Sequence, residues 1–459
     1  MSVSGPAPAG SVPAPPAAPG RSLASGTRVL SVGIASTGIF TFAYLATASH
    51  VLSPRDYSRV SLCWAVMFVI LSVIYRPIEQ LLSRTIAERR AQGISAQSLR
   101  VPAALQMSFA AVFLIAALAA RHPIEHGMFG GSRALYWVLV AGVLAYAGSY
   151  FARGWLAGHQ AFALYGALVF LESTSRFCFA LAVAVGIGSG LGVVALGMAA
   201  APLVSLSVMP FAFRWIRLSR ARGAEAPAAE AESASSLTLR RGGGFAASVV
   251  AIMLSEQTLM NAGVLVVAAS VGSTDLNGGL VGFVFNVMLI VRAPLQLFQA
   301  VQTSILPHLT GLETRREVDA VRRAVAITVV ATGSFGLAVA LGLLAIGPPV
   351  MGIVLGHKGF HYERLGLAAV GLGMGLHLIA GTFNQAALAR GHAARAAVCW
   401  LLCAALFLAF QVAPLIASRV SRVELGYCGA TALLALLLWA VYATGAPRQT
   451  APTASASAT

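Results

Sequence analysis

The chain has 459 residues, of which 58% are apolar and only 10% charged. A soluble domain carries about 25% charged residues, so this chain cannot cover a water-facing surface with its own charges and lipid must do so. The net charge of +16 would point to nucleic acid in a soluble protein. Here the basic residues sit in short segments between apolar stretches, where they set topology and meet anionic lipid, which argues against a nucleic-acid partner.

Residues 1–27 are mostly Pro, Ala, Gly and Ser with one charge, Arg21, and read as a disordered cytoplasmic tail. They lack the basic start and compact apolar core of a signal peptide, so the first apolar run is expected to serve as an uncleaved anchor. A membrane helix needs roughly 20 mostly apolar residues. Twelve stretches qualify: 29–50, 57–80, 102–120, 134–156, 162–187, 191–213, 244–270, 278–304, 323–347, 364–389, 394–416 and 424–445. Residues 214–243 interrupt them with a basic, then acidic and alanine-rich, then basic segment, read as a solvated linker. The expected organisation is thus an N-terminal lobe over 28–213, the linker, a C-terminal lobe over 244–446 and a second disordered tail over 447–459.

Orientation follows from the basic residues. With the N-terminus inside, 20 Lys and Arg lie on the cytoplasmic side and 8 opposite, leaving Arg76, Arg176 and Arg292 within spans. The excess predicts a multi-pass protein of the cell (inner or plasma) membrane with both termini and the linker cytoplasmic. A reporter fused at Ala228 is therefore expected to be active only if it requires the cytoplasm. A periplasmic reporter that works there would overturn the topology and the equal division into lobes.

The halves resemble each other. Arg76-Pro77-Ile78-Glu79-Gln80-Leu81 is matched by Arg292-Ala293-Pro294-Leu295-Gln296-Leu297, and Gly158-His159-Gln160-Ala161 by Gly391-His392-Ala393-Ala394. Six helices per half give both repeats the same orientation, with a pseudo-twofold axis along the membrane normal. The fold class expected is all-α: a polytopic membrane protein of about 12 helices in two six-helix lobes around a central cavity.

Enzymatic motifs are missing. Gly352-Ile353-Val354-Leu355-Gly356-His357-Lys358 has the wrong spacing for a phosphate loop, and the glycines of 186–192 join two membrane helices, where a tight turn explains them. There is no HExxH, paired carboxylate or Ser/His/Asp set, so neither an enzyme nor a cofactor is expected. Cys63, Cys178, Cys399, Cys403 and Cys428 lie in apolar stretches without His or Cys at ligand spacing, and read as small apolar residues rather than a metal site.

The charges inside spans carry the functional signal, since each costs at least ~3 kcal/mol in hydrocarbon unless it meets a cavity or a partner. Arg76 and Glu79 are three apart; Glu172 and Arg176 are four apart in the favourable acid-first order, which suits a structural pair. Arg76 and Arg292 recur at equivalent repeat positions beside Pro77 and Pro294, in the inner half of the bilayer. With Arg176 they are candidates for a cytoplasm-facing anion site, because guanidinium forks bind phosphate bidentately. The rival for Arg76 is an anchor that snorkels to the interface. Glu256, with Asn261 nearby, is a candidate ion-coupling group, and a tertiary pair with Arg292 is the alternative.

Several passages resemble the polysaccharide exporter branch of the superfamily that also holds lipid II flippases and multidrug and toxin extrusion transporters. One is Gly38-Ile39-Phe40 through Leu52-Ser53-Pro54-Arg55-Asp56-Tyr57-Ser58, with Ser58 where the family usually has Gly. Others are Gly158-His159-Gln160-Ala161-Phe162, followed by Arg176, and Gly279 through Arg292-Ala293-Pro294-Leu295 to Ser304-Ile305-Leu306-Pro307-His308-Leu309. The resemblance implies alternating access and a polyprenyl-pyrophosphate-linked saccharide carried from the inner to the outer leaflet, alongside envelope polysaccharide assembly enzymes. Twelve helices instead of fourteen count against the lipid II branch. The alternative reading is a proton- or sodium-coupled small-molecule exporter of multidrug type; a third is a membrane protein without transport.

Overall fold

A computed structural model describes residues 20–91, 99–221, 239–270, 279–292, 294–295, 298, 318–356 and 359–444. The elements are α1 (Gly20–Val51), α2 (Pro54–Ala91), α3 (Arg100–Ala119), α4 (Arg133–Gly158), α5 (Phe162–Ala184), α6 (Gly190–Ser205), α7 (Met209–Ala221) and α8 (Leu239–Ser270). They continue as α9 (Leu280–Arg292), α10 (Val318–Leu355), α11 (Arg364–Ala389), α12 (Ala393–Val412) and α13 (Arg419–Thr444). Each expected apolar stretch is helical over the residues described, that of 278–304 mainly over Leu280–Arg292, and the described residues contain no strand. Ten of these helical stretches are long and apolar enough to cross a membrane among the described residues, α6 and α7 counting as one, Gly190–Trp215.

The boundaries differ from expectation at three places. The first helix begins at Gly20, inside the segment read as a tail; residues 1–19 and 445–459 lie outside the described residues. The run 191–213 is two helices joined by a 3-10 turn at Leu206–Val208, next to Pro202, whose missing N–H weakens the ladder there. The linker is shorter than 214–243, because α7 continues to Ala221 and α8 starts at Leu239; its acidic centre and the passage Ser304–Leu309 lie outside the described residues.

The repeat is legible in the packing. In the first half α1 packs on α5, α4 on α6, and α5 on α6; in the second, α8 packs on α12, α11 on α13, and α12 on α13. These are the same pairs one repeat apart. The turn after α4 matches the turn after α11, but not in the register the sequence suggested. Ala161 donates to the Leu156 carbonyl at 2.9 Å and His392 to the Ala387 carbonyl at 2.8 Å, which aligns Gln160 with Gly391. Both occupy the left-handed region, with φ of 57° and 75°, as helix C-terminal turns of this kind require. Gly391 therefore corresponds to Gln160 and not to Gly158.

Burial separates inner from outer helices. The apolar windows of α11, α2 and α4 are 67%, 61% and 61% buried, whereas those of α10 and α3 are 17% and 22% buried and face lipid. Small residues bring helices close, as membrane packing favours. A Cβ on Gly375 of α11 would stand 2.7 Å from the Gly336 Cα of α10. Gly336→Val is thus expected to destabilise the C-terminal lobe by about 1–3 kcal/mol, read as a lower unfolding temperature in detergent; an unchanged temperature would contradict the crossing. On the side away from the linker, Arg121 and Arg133 each donate to Glu125 at 3.2 Å across the α3–α4 connection. Desolvation opposes the Glu125 charge, but the two arginines outweigh it and hold the carboxyl below the usual carboxylate range. Its contribution to folding is present above the pH at which a free carboxyl ionises, and is lost as pH falls through the lowered value.

Candidate functional site

A cavity of about 350 Å³ opens between the lobes. Its wall takes Arg76 and Gln80 from the end of α2, Ile252, Met253 and Glu256 from the first half of α8, and His377, Asn384 and Gln385 from the second half of α11, with Trp400 from the start of α12. All of these lie toward the end of the molecule where α7 leaves and α8 enters, so the cavity belongs to the linker side. Pro77 follows Arg76 inside α2, removing one ladder hydrogen bond where that helix lines the cavity. Arg76 and Glu256 interact electrostatically across the space, yet among the described residues no basic group lies within ion-pair distance of Glu256.

The opposite end of the lobe interface is closed by hydrogen bonds. Ser53 accepts from the Asp56 N–H at 3.1 Å and starts α2, which aims Tyr57 and Ser58 at the other lobe. Tyr57 donates to Asn286 of α9. Asn286 in turn donates to the Leu355 carbonyl and Tyr362, both at 3.3 Å. From the end of α1, Ser49 donates to the Leu355 carbonyl and His50 reaches the Val354 carbonyl at 3.0 Å. Gly282 lies in the first turn of α9, where a helix has no internal acceptor for its N–H; it donates to Ser58 Oγ at 3.0 Å. The Ser58 hydroxyl thus caps a helix of the other lobe. A Cβ at Gly282 would fall 2.7 Å from the Tyr57 ring, so the close approach needs glycine there. The lobe interface is thus hydrogen-bonded away from the linker and hollow toward it.

The residues singled out from sequence divide between the cavity and the lobes. Arg76 and Glu256 line the cavity. Arg292 turns into the C-terminal lobe, donating to Asn261 Oδ1 at 2.7 Å with its guanidinium 4.9 Å from the Phe285 ring centre. Asn261 is held as well by its own donation to the Gln257 carbonyl at 3.0 Å. The pair Glu256–Arg292 is not formed, since Asn261 takes the arginine. Arg176 is sewn into the N-terminal lobe: it donates to Glu172 at 3.1 Å and to Tyr146, and lies 4.8 Å from the Trp64 ring centre. Glu172 also accepts from Tyr146 at 3.0 Å, Ser149 at 3.1 Å and Arg153. Arg153, one of the 20 basic residues assigned to the cytoplasmic side by position, is an ion-pair partner of Glu172 within the N-terminal lobe. The three arginines therefore do not converge on one anion. Glu79 pairs with neither Arg76 nor Glu256 and accepts from Tyr165 at 2.8 Å.

Sequence reasoning passed over His377, Asn384 and Trp400. The signal was available for His377, a single imidazole in an apolar span, because an intramembrane titratable group calls for a cavity or a partner. Asn384 accepts from the Trp400 indole at 3.1 Å, a contact that spacing alone does not reveal.

The fold and the cavity define a multi-pass membrane protein of two lobes with a solute-sized chamber between them. No family model and no curated protein matches the chain. Among solved structures it is similar to a multidrug resistance MATE family transporter of the MOP superfamily in an inward-facing conformation, with TM-score 0.64 and 13% identity over 92% of this chain and 93% of that chain. It is similar to such a transporter in an outward-facing conformation too, with TM-score 0.63 and 16% identity over 92% and 95% of the two chains. A mutant of the Vibrio cholerae MATE transporter VcmN gives TM-score 0.61 and 14% identity over 92% and 96%. At these identities the likeness establishes the fold alone. The first two are described as multidrug resistance transporters, and none of the three is described as a polysaccharide exporter.

Proposed function

We propose that the chain is an alternating-access membrane transporter that exports a small organic solute, driven by an ion gradient. The observation that carries this is a carboxylate, Glu256, with no ion-pair partner among the described residues, in a cavity on the linker side of an interface sealed by lobe-to-lobe hydrogen bonds at the far end. A chamber of about 350 Å³ falls in the range that holds a drug-sized ligand. The similar structures, solved in inward- and outward-facing conformations and described as multidrug resistance transporters, support the same reading. Arg76 and Glu256 bring opposite charges to the wall, so the solute and the ion can compete for Glu256 while Arg76 biases its charged form.

A second reading keeps the lipid-linked saccharide as cargo. It is favoured by the amides of Gln80, Asn384 and Gln385 around Trp400, with Arg76 to meet a phosphate. It ranks second because Arg292 and Arg176 are engaged inside the lobes.

The test is reconstitution in liposomes with ethidium as probe. Gradient-driven ethidium movement is expected from the wild type, and its loss from Glu256→Gln with unchanged melting. Absence of movement by the wild type, with lipid-linked saccharide accumulating in a deletion strain, would overturn the first reading for the second.

A further inference from the structure

We propose that His377 is a proton-binding site in the cavity wall, and that the coupling ion is a proton and not sodium; the second half rests on the transport reading above. His377 is buried in α11 and forms part of the wall. Its Nδ1 lies 2.9 Å from the Tyr427 hydroxyl of α13, whereas its Nε2 is buried with no hydrogen-bond partner among the described residues. A buried polar atom left open in this way is costly and calls for an explanation. In the tautomer with the proton on Nδ1, Nδ1–H donates to the Tyr427 oxygen and the Nε2 lone pair is free to take a proton.

The groups around the ring favour that use. Tyr427 on α13 is electrostatically linked to Glu256 on α8, and Arg76 of α2 shares the cavity. From α12 the neighbour is Trp400, its ring centre 5.5 Å from the imidazole; the one charge of that helix, Arg395, is exposed. The charges of α10 (Asp319, Arg322, Arg323) sit in its first two turns, and the remaining acid of α13 is Glu424, three residues before Tyr427. Sodium is a hard cation that asks for several oxygen ligands, as its divalent relatives do. The wall offers sodium neutral amide oxygens from Gln80, Asn384 and Gln385 but a single carboxylate, and the Arg76 guanidinium repels a bound cation. The open imidazole nitrogen suits a proton, which Nε2 takes up when movement of the wall admits water and returns to water on the other side after the lobes rock.

Trp400 supplies a readout that needs no transport, since an imidazolium next to an indole quenches its emission. The experiment titrates tryptophan fluorescence of the full-length protein in detergent over about pH 4 to 8, a range that spans imidazole protonation. The part due to Trp400 is isolated by difference from Trp400→Phe. Acid is expected to quench that part reversibly, His377→Gln to abolish the response, and Tyr427→Phe to shift its midpoint by removing the acceptor of Nδ1–H. Exchanging potassium for sodium at fixed pH is expected to leave it unchanged. An acid response that persists in His377→Gln, or a flat wild-type trace, would overturn the site; a sodium response equal to that of acid would overturn proton selectivity. Should the titration behave as expected while ethidium fails to move in liposomes, the transport reading falls and the proton site stands.

Discussion

Glu172→Leu is expected to destabilise the protein by about 3–5 kcal/mol, enough to remove most folded material from the membrane. Glu172 accepts hydrogen bonds from Tyr146, Ser149, Arg153 and Arg176 at once. Leucine fills the space but leaves two guanidinium groups facing each other without a counter-ion, one of them 2% exposed. Arg176 has no route to water without unpacking its lobe, and Arg153 is only 11% exposed. Removing one member of a buried ionic cluster is worse than removing all of it, so adding Arg153→Leu and Arg176→Leu to Glu172→Leu should restore most of the melting temperature. A single variant that melts like the wild type would show that the network is hydrated and contributes little.

Asn286→Ala is expected to open the seal away from the linker by roughly tenfold or more, since a net hydrogen bond contributes about 0.5–1.5 kcal/mol and several are lost together. Asn286 receives the Tyr57 hydroxyl from one lobe while donating to Leu355 and Tyr362 in its own. Alanine removes the amide oxygen that accepts the buried Tyr57 hydroxyl from the other lobe, and with it a direct lobe-to-lobe hydrogen bond. The amide of Gly282 reports this directly, because Ser58 of the other lobe protects it. Its hydrogen exchange should accelerate in Asn286→Ala while amides in the centre of α11 keep their protection. Unchanged exchange at Gly282 would mean that Asn286 shapes its own lobe and does not hold the two together.

How much of this was legible in the sequence follows from the range of the interactions. Helix positions were legible because a span of apolar residues is a local property, and so was the pair Glu172–Arg176, four residues apart on one face. The membership of Arg153 was not, because it lies 19 residues from Glu172 and looked like a topology charge at a helix end. Arg292 and Glu256 were read as possible partners on neighbouring helices; an amide, Asn261, intervenes, and a neutral residue carries no signal in a search for charges. The seal joins residues more than two hundred positions apart, such as Ser58 and Gly282, and nothing in one sequence pairs them. The repeat was found at the right place but in a shifted register, because a left-handed turn residue is glycine in one half and glutamine in the other.

The central claim is that two lobes rock about the cavity, and paired spin labels test it with no substrate. One pair goes on exposed positions away from the linker, Arg55 and Arg364; the other goes on exposed linker-side positions, Leu81 and Ala247. In liposomes the account predicts two distance populations for each pair, changing in opposite senses. One population should have the first pair closer and the second wider, and a change in pH should shift weight to the reverse arrangement. A single distance for each pair, unmoved by pH or sodium, would contradict alternating access.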